Sequence, residues 1–243
     1  LSANPLSRAT LEQVKRYYQR TGRYWDVDAL AIDIQRVNTL FPDFSVNEVN
    51  RFLFGLPGNI EVGQIELARL EVEYADLCDG LDTWARQATT AEEQAQREDF
   101  KEELQAGWRR EGALDVSSPQ VMPTFTLESP HPVTGTFPSL DSGVFRHVSS
   151  LRLKGAQGPF PLQSSLFFRG FPTLNDLVIE SYVMGDIPGS VWDLPQLSSL
   201  RLPGCAITLS TESAASLSTL SELRTLDMSH NPLGQLPDFS ALP

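Results

Sequence analysis

Cysteine is scarce in this chain: 243 residues contain two, Cys78 and Cys205, far apart in sequence. A disulfide framework needs more, so none is expected. Histidine is nearly as scarce. His131, His147 and His230 share no ligand spacing with each other or with the cysteines, so no metal site is expected. Positive charge is short as well, with 19 Lys and Arg against 31 Asp and Glu, a net charge of −12. The deficit runs through both halves: 13 basic against 21 acidic residues up to Gln120 (−8), and 6 against 10 after it (−4). Binding of nucleic acid through its phosphates needs a basic footprint, and there is none. No apolar run approaches the roughly eighteen residues of a membrane span, and no secretory leader is visible. A glycine-rich phosphate loop, a serine elbow and a histidine beside a nucleophile are all missing, so no cofactor and no catalytic residue are assigned.

What is present is a globular composition, 41% hydrophobic and 21% charged, long enough for one large or two ordinary domains. The most ordered pattern lies near the end. Leu223, Leu226, Met228, Asn231 and Leu233 follow L-x-x-L-x-L-x-x-N-x-L, the spacing of a leucine-rich repeat. Leu226 and Met228 alternate on a short strand and point to one side, while Asp227 points to the other. Asn231 falls where the chain turns away and can hydrogen-bond backbone groups left unpaired there. Leu197, Leu200 and Leu202 repeat the spacing, as do Leu174, Leu177 and Ile179, then Val148, Leu151 and Leu153, and finally Met122, Phe125 and Leu127. The register steps are 26, 26, 23 and 26 residues, within the range of such repeats. Cys205 takes the slot of Asn231, where a small buried residue fits.

Residues 1–112 read as helical. A first helix is expected over about Ser7 to Arg20, with Leu11, Val14 and Tyr18 on one face. A second, after an N-cap at Asp26, carries Leu30, Ile34, Val37 and Leu40. Ser45-Val46-Asn47-Glu48 is a capping-box pattern opening a third, with Val49, Phe52 and Leu53. Leu67, Leu70, Tyr74, Leu77, Leu81, Trp84 and Ala88 form a heptad seam on a long fourth helix. Thr90-Ala91-Glu92-Glu93 opens a fifth, with Phe100, Leu104 and Trp108, ending at Gly112; its acidic run is a wet face. A short link between these two helices predicts an antiparallel hairpin. Residues 113–121 are a linker, and 122–243 hold about five repeats, the first crowded by Pro119, Pro123, Pro130, Pro132 and Pro138. At least two of Phe167, Phe168 and Phe171 are expected to pack into the core on the convex side. The fold class is thus an all-α N-terminal domain followed by a short solenoid with a parallel sheet on its concave face, α+β as a whole. The chain starts at Leu1 rather than Met and stops straight after a repeat, which is expected of a piece of a longer protein.

Cys78 is followed by Asp79, but Glu71, Glu73, Asp76 and Asp82 lie nearby, and surrounding acids disfavour a thiolate. It is not read as a nucleophile. The hairpin sequences Leu67-Ala68-Arg69-Leu70-Glu71-Val72-Glu73-Tyr74 and Leu81-Asp82-Thr83-Trp84 precede Trp108-Arg109-Arg110-Glu111, and repeats follow. Among those repeats stand Phe171-Pro172-Thr173-Leu174 and Leu226-Asp227-Met228-Ser229-His230-Asn231-Pro232-Leu233-Gly234. Nearly the whole chain resembles the middle of large bacterial effector proteins that carry a C-terminal NEL ubiquitin-ligase domain, often with a dermonecrotic-toxin-like region upstream. The resemblance implies a secreted protein acting in a host cell, whose repeats select a protein substrate or restrain the ligase. The ligase cysteine of that family sits in a C-x-D motif on a separate domain. Cys78-Asp79-Gly80 lacks the second acid and precedes the repeats, so no catalytic residue carries over.

The expected function is therefore protein–protein recognition, with the partner a host substrate or a neighbouring domain. The alternatives are a structural or autoinhibitory scaffold with no external ligand, or an enzyme with its site among the helices. Side chains between and after the inward leucines are expected to form the binding surface: Arg152, Lys154, Val178, Glu180, Arg201, Asp227 and His230. The alternation predicts one column of Glu128, Lys154 and Glu180, a second that sets Arg201 beside Asp227, and Val178 flanked by Arg152 and Arg201.

Overall fold

A computed structural model of the chain describes residues 27–54, 60–117 and 125–233. The architecture is α+β, with helices through the N-terminal part followed by a five-stranded parallel sheet. The chain divides into two compact units, Leu1–Ala75 with Gly112–Met122 and Asp76–Glu111 with Pro123–Pro243. The first helix expected from the sequence lies outside the described residues, as do Asp26, Met122 and the last ten residues.

In the first unit, α1 (Val27–Leu40) buries Leu30, Ile34, Val37 and Leu40, a stripe at helical spacing. The capping box forms at the start of α2 (Val46–Phe54): Ser45 N donates to Glu48 Oε2 at 2.7 Å and Glu48 N to Ser45 Oγ at 3.3 Å. Phe41 stacks on Phe44 with centroids 4.6 Å apart. The long helix α3 (Ile60–Arg86) approaches α2 at Gly63, where an added Cβ would lie 2.7 Å from the Leu53 carbonyl oxygen. Only glycine permits that approach. The nearly buried Asp33 accepts from Gln64 Nε2 at 2.8 Å and Arg36 Nη1 at 3.3 Å.

In the second unit, the end of α3 turns back through residues 87–90 into α4 (Ala91–Ser117). Lys101 pairs with Asp82 at 2.9 Å and Gln105 donates to Cys78 Sγ at 3.4 Å, the contact order of an antiparallel hairpin. Leu77, Leu81, Trp84, Phe100, Leu104 and Trp108 are buried. The helix start at Thr90 is satisfied differently from the expected capping box. Glu93 N does donate to Thr90 Oγ1 at 3.1 Å, but the Glu93 carboxylate reaches Thr89 instead, at 2.9 Å to Oγ1. The other Glu93 oxygen holds Arg97, which is itself buried and donates to the Trp84 carbonyl at 2.6 Å. That carbonyl belongs to the last turn of α3, where it also accepts from Gln87 N at 3.2 Å, and Arg97 adds a second, shorter donor. The fifth helix does not end at Gly112. It continues to Ser117, through half of the expected linker, because one interior glycine costs only about 1 kcal/mol against alanine.

The sheet follows in strict chain order: β1 (Phe125–Ser129), β2 (Val148–Lys154), β3 (Asp176–Glu180), β4 (Ser199–Arg201) and β5 (Thr225–Asp227). Short helices α5 (Ser164–Phe168), α6 (Gly189–Trp192) and α7 (Thr211–Leu217) lie between consecutive strands. Leu151, Leu177, Leu200 and Leu226 stand opposite one another across four strands. The first three are completely buried and Leu226, on the outermost described strand, is half-buried. The return segments carry bridges of their own, Thr136 with Leu162, Pro159 with Val183 and Thr208 with Leu233, all parallel. Each unit therefore hydrogen-bonds to the next on the way out and on the way back.

The first strand corrects the expected register. Leu127, not Phe125, pairs with Leu151, and Phe125 pairs with Val148. The pairing shifts between Phe125 and Thr126, so that Ser149 is an extra residue opposite two that are adjacent in β1. A bulge at the sheet edge shortens the first step to 24 residues for Leu127 and Leu151. It also places Ser129, 3% exposed, opposite Leu153. From the other side α4 meets this strand: a Cβ on Gly107 would lie 2.6 Å from Leu127 Cδ1, and the Arg110 guanidinium sits 5.0 Å from the Phe125 ring centroid.

Aromatic rings fill the second unit. Phe137 stacks on Phe167 at 4.5 Å, Phe100 lies 5.9 Å from Phe167 and from Trp84, and Phe145 stacks on Phe171 at 4.9 Å. Phe167, Phe168 and Phe171 are buried. Leu200→Ala, in the middle of the leucine row, should cost about 2–5 kcal/mol in denaturant unfolding, as large-to-small core changes do. Leu226→Ala, already half in water, should cost clearly less.

Candidate functional site: the outward face of the sheet

Side chains alternate across a strand, so the inward leucines fix which residues face out. Two outward rows run across the sheet. One is Glu128, Arg152, Val178, Arg201 and Asp227, in that order across all five strands. The other is Thr126, Ser150, Asp176, Ser199 and Thr225. Lys154 and Glu180 begin a third. The bulge therefore sets Glu128 opposite Arg152 and not in the column of Lys154 and Glu180. Arg201 does stand beside Asp227, and Val178 is flanked by Arg152 and Arg201 as its place in the row requires.

Val178 faces outward yet is only 4% exposed. An outward valine between two arginines is covered by neighbours on both sides, and arginine stems shield apolar surface while their heads stay wet. The two arginines differ in what they hold. Arg201 Nη2 donates to both oxygens of Asp176, at 3.1 and 3.0 Å, while its buried Nε makes no hydrogen bond. Ser150 Oγ adds a third contact to Asp176 at 2.8 Å. Burial of the Asp176 carboxyl works to raise its pKa, but hydrogen bonds from Ser150 and Ser199 and the Arg201 guanidinium outweigh it and hold the group below the usual carboxylate value. Arg152, half-buried on β2, has no acid within salt-bridge distance among the described residues, and neither has the exposed Lys154. Asp227 accepts from Ser229 N at 2.9 Å, and its pKa is lowered by the hydrogen bonds from Ser229 and, less, by Arg201 and His230.

His230 is outside the strands. It is exposed, with a φ of 60°, and Ser181 and Gly204 share that left-handed conformation at 61° and 62°. All three stand four residues beyond an aligned leucine, so the turn off each of these strands is the same. One residue later the side chain points inward: Tyr182, Cys205 and Asn231. Asn231 Oδ1 accepts from Cys205 N and Ile207 N, both at 2.9 Å, and its Nδ2 donates to the carbonyls of Leu202, Met228 and Ser229 at 2.7, 3.0 and 3.1 Å. Cys205 is fully buried and its thiol donates to the Ile179 carbonyl at 3.2 Å; burial raises its pKa, which keeps the proton in place. The Tyr182 phenol accepts from Val133 N at 3.0 Å, and burial pushes its pKa up to about 12. Leu151, Leu153, Leu177, Ile179, Leu200 and Leu202 are buried below this ladder, while Leu226, Met228 and Asn231 are half-buried at its end.

Asp176, Ser150 and Ser199 were not among the residues singled out from the sequence. The signal existed: each immediately precedes an inward leucine, so alternation extended one step back turns it outward. Elsewhere, a half-open cleft of about 280 Å³ is floored by Phe168, Phe171 and Leu194, and its Arg169 is committed to the Leu140 carbonyl at 2.6 Å. No group of three or more His, Cys, Asp or Glu that could hold a metal ion occurs among the described residues, and none of their helices is long and apolar enough to cross a membrane. No family model, no curated protein and no solved structure matches the chain. The class the geometry defines is thus the fold itself, a parallel sheet whose polar face carries paired and unpaired charges in rows.

The Asp176 contacts give a pH dependence. A carboxyl whose folded pKa is depressed contributes stability that is present above its unfolded pKa and lost as pH falls through the folded value. Asp176→Asn should therefore be less stable than the parent near pH 7, and the difference should close as pH falls through and below about 3.8. Thermal melts of both proteins across that window measure it.

Proposed function

We propose that residues 125–233 form a leucine-rich-repeat stack whose outward sheet face recognises a protein partner. The repeated leucine row, the shared left-handed turn and the Asn231 amide ladder support the repeat assignment. The observation that carries the recognition reading is the central row Arg152, Val178, Arg201, in which Arg201 is held by Asp176 while Arg152 holds no acid of the face. Interface centres are enriched in arginine. By its resemblance to NEL-type effectors, the region serves a ubiquitin-ligase domain elsewhere in the parent protein, and the parent acts as a secreted protein in a host cell. Catalysis belongs to that other domain. Cys78 accepts from Gln105 Nε2 and follows Glu71, Glu73 and Asp76 in sequence, with Asp79 and Asp82 after it, and neighbouring acids disfavour a thiolate.

One observation favours a second reading, in which the face is a scaffold with no external ligand. Asp176, Ser150, Ser199 and Arg201 satisfy one another, as a solvated surface would. Charge reversal separates the two. Arg152→Glu should remove capture of host proteins seen with the parent chain while leaving the melting temperature within a few degrees, since Arg152 holds no acid of the face. The same proteins captured by both would contradict recognition through this face.

A further inference from the structure

We propose that the outward face takes an extended protein segment through a carboxylate side chain, gripped between Arg152 and Lys154. The inference rests on the recognition reading above and adds the chemistry of the partner. Three cations stand on this face, and the structure treats them unequally. Arg201 is neutralised within the face, because one nitrogen serves both oxygens of Asp176. Arg152 and Lys154 have no such partner among the described residues.

These two stand two residues apart on β2 and so emerge from the same side, about 7 Å apart along the strand. A carboxylate lying between them meets a planar fork on one side and an ammonium on the other. Arginine is suited to this, since its guanidinium presents parallel donors to two oxygens at once. Next to them in the row lies Val178, which at 4% exposed offers a ligand no apolar surface, so the grip is one of charge.

The surroundings limit what can enter. Glu128 stands opposite Arg152 in the neighbouring strand, and Glu180 opposite Lys154, with Asp176 and Asp227 further along the face. A polyanion such as nucleic acid would run into these acids, whereas a single carboxylate fits between the two cations. The held position of Arg201 has a consequence of its own. Removing the Asp176 charge releases a second arginine on the other flank of Val178, which then becomes available to the same ligand.

The test is selection of a random ten-residue peptide display library on the whole chain. Binders should share an Asp or Glu. Their affinity should fall about tenfold or more in Arg152→Glu, and also in Lys154→Glu, whose side chain is exposed and whose folding is not in question. Asp176→Asn should bind them more tightly, and raised salt should weaken binding to the parent. A photo-crosslinker in the peptide locates the site. Crosslinks on β2, β3 and β4 with affinity indifferent to Arg152→Glu and Lys154→Glu overturn the carboxylate grip alone. Crosslinks elsewhere on the chain, or a library with no binder above background, overturn the recognition reading together with it.

Discussion

Where the chain leaves each strand, backbone N–H and C=O groups enter the interior and must find partners there. A buried group left unpaired costs about 1–3 kcal/mol, so this requirement constrains the rest of the second unit. The solution differs in chemistry from turn to turn but not in place. Asn231 supplies an amide that reaches five backbone atoms. Cys205 supplies a thiol proton to Ile179. Tyr182 sends its phenol further, to Val133. Each leaves the strand through one left-handed residue, although only Gly204 adopts that conformation without steric cost. With the turns fixed, the leucines line up, and only then does the opposite face acquire its rows.

The second constraint is the edge. A parallel strand with nothing beside it exposes unpaired backbone and one flank of its core. Here the distal part of the α3–α4 hairpin, Asp76–Glu111, belongs to the same compact unit as the sheet. Gly107 and Arg110 meet β1, and the rings of Trp84, Phe100, Phe137 and Phe167 continue the apolar core from helix to sheet. Trp84 also donates to the Thr136 carbonyl at 3.0 Å, so its indole is satisfied at the end of that core. Buried Arg97 completes the junction by serving the last turn of α3.

Strand order and the buried leucine row were legible in the sequence because both follow from a spacing that repeats. The α+β class and the helical character of the N-terminal part were legible for the same reason, from heptad and capping patterns. The first strand was not. Its apolar residues fit the repeat spacing in a register two positions away from the one adopted, and the choice between them rests on a bulge at Ser149 that no local residue announces. The outward face was legible as alternation but not as electrostatics. Nothing in the spacing told that Asp176 would claim Arg201 and leave Arg152 unclaimed. The association of the hairpin with the sheet was hidden too, since it depends on aromatic contacts between residues far apart in sequence, such as Phe100 and Phe167.

The central claim is that the distal hairpin and the stacked strands fold as one unit, with the outward face held rigid on it. Native-state hydrogen exchange measures this directly. Cooperative units open with a common free energy and a common denaturant dependence. Amides of residues 91–108 in α4 should exchange through the same global opening as those of Leu151, Leu177 and Leu200, with matching slopes in added denaturant. Exchange of the hairpin by a separate opening of lower free energy, while the strands stay protected, would contradict the account.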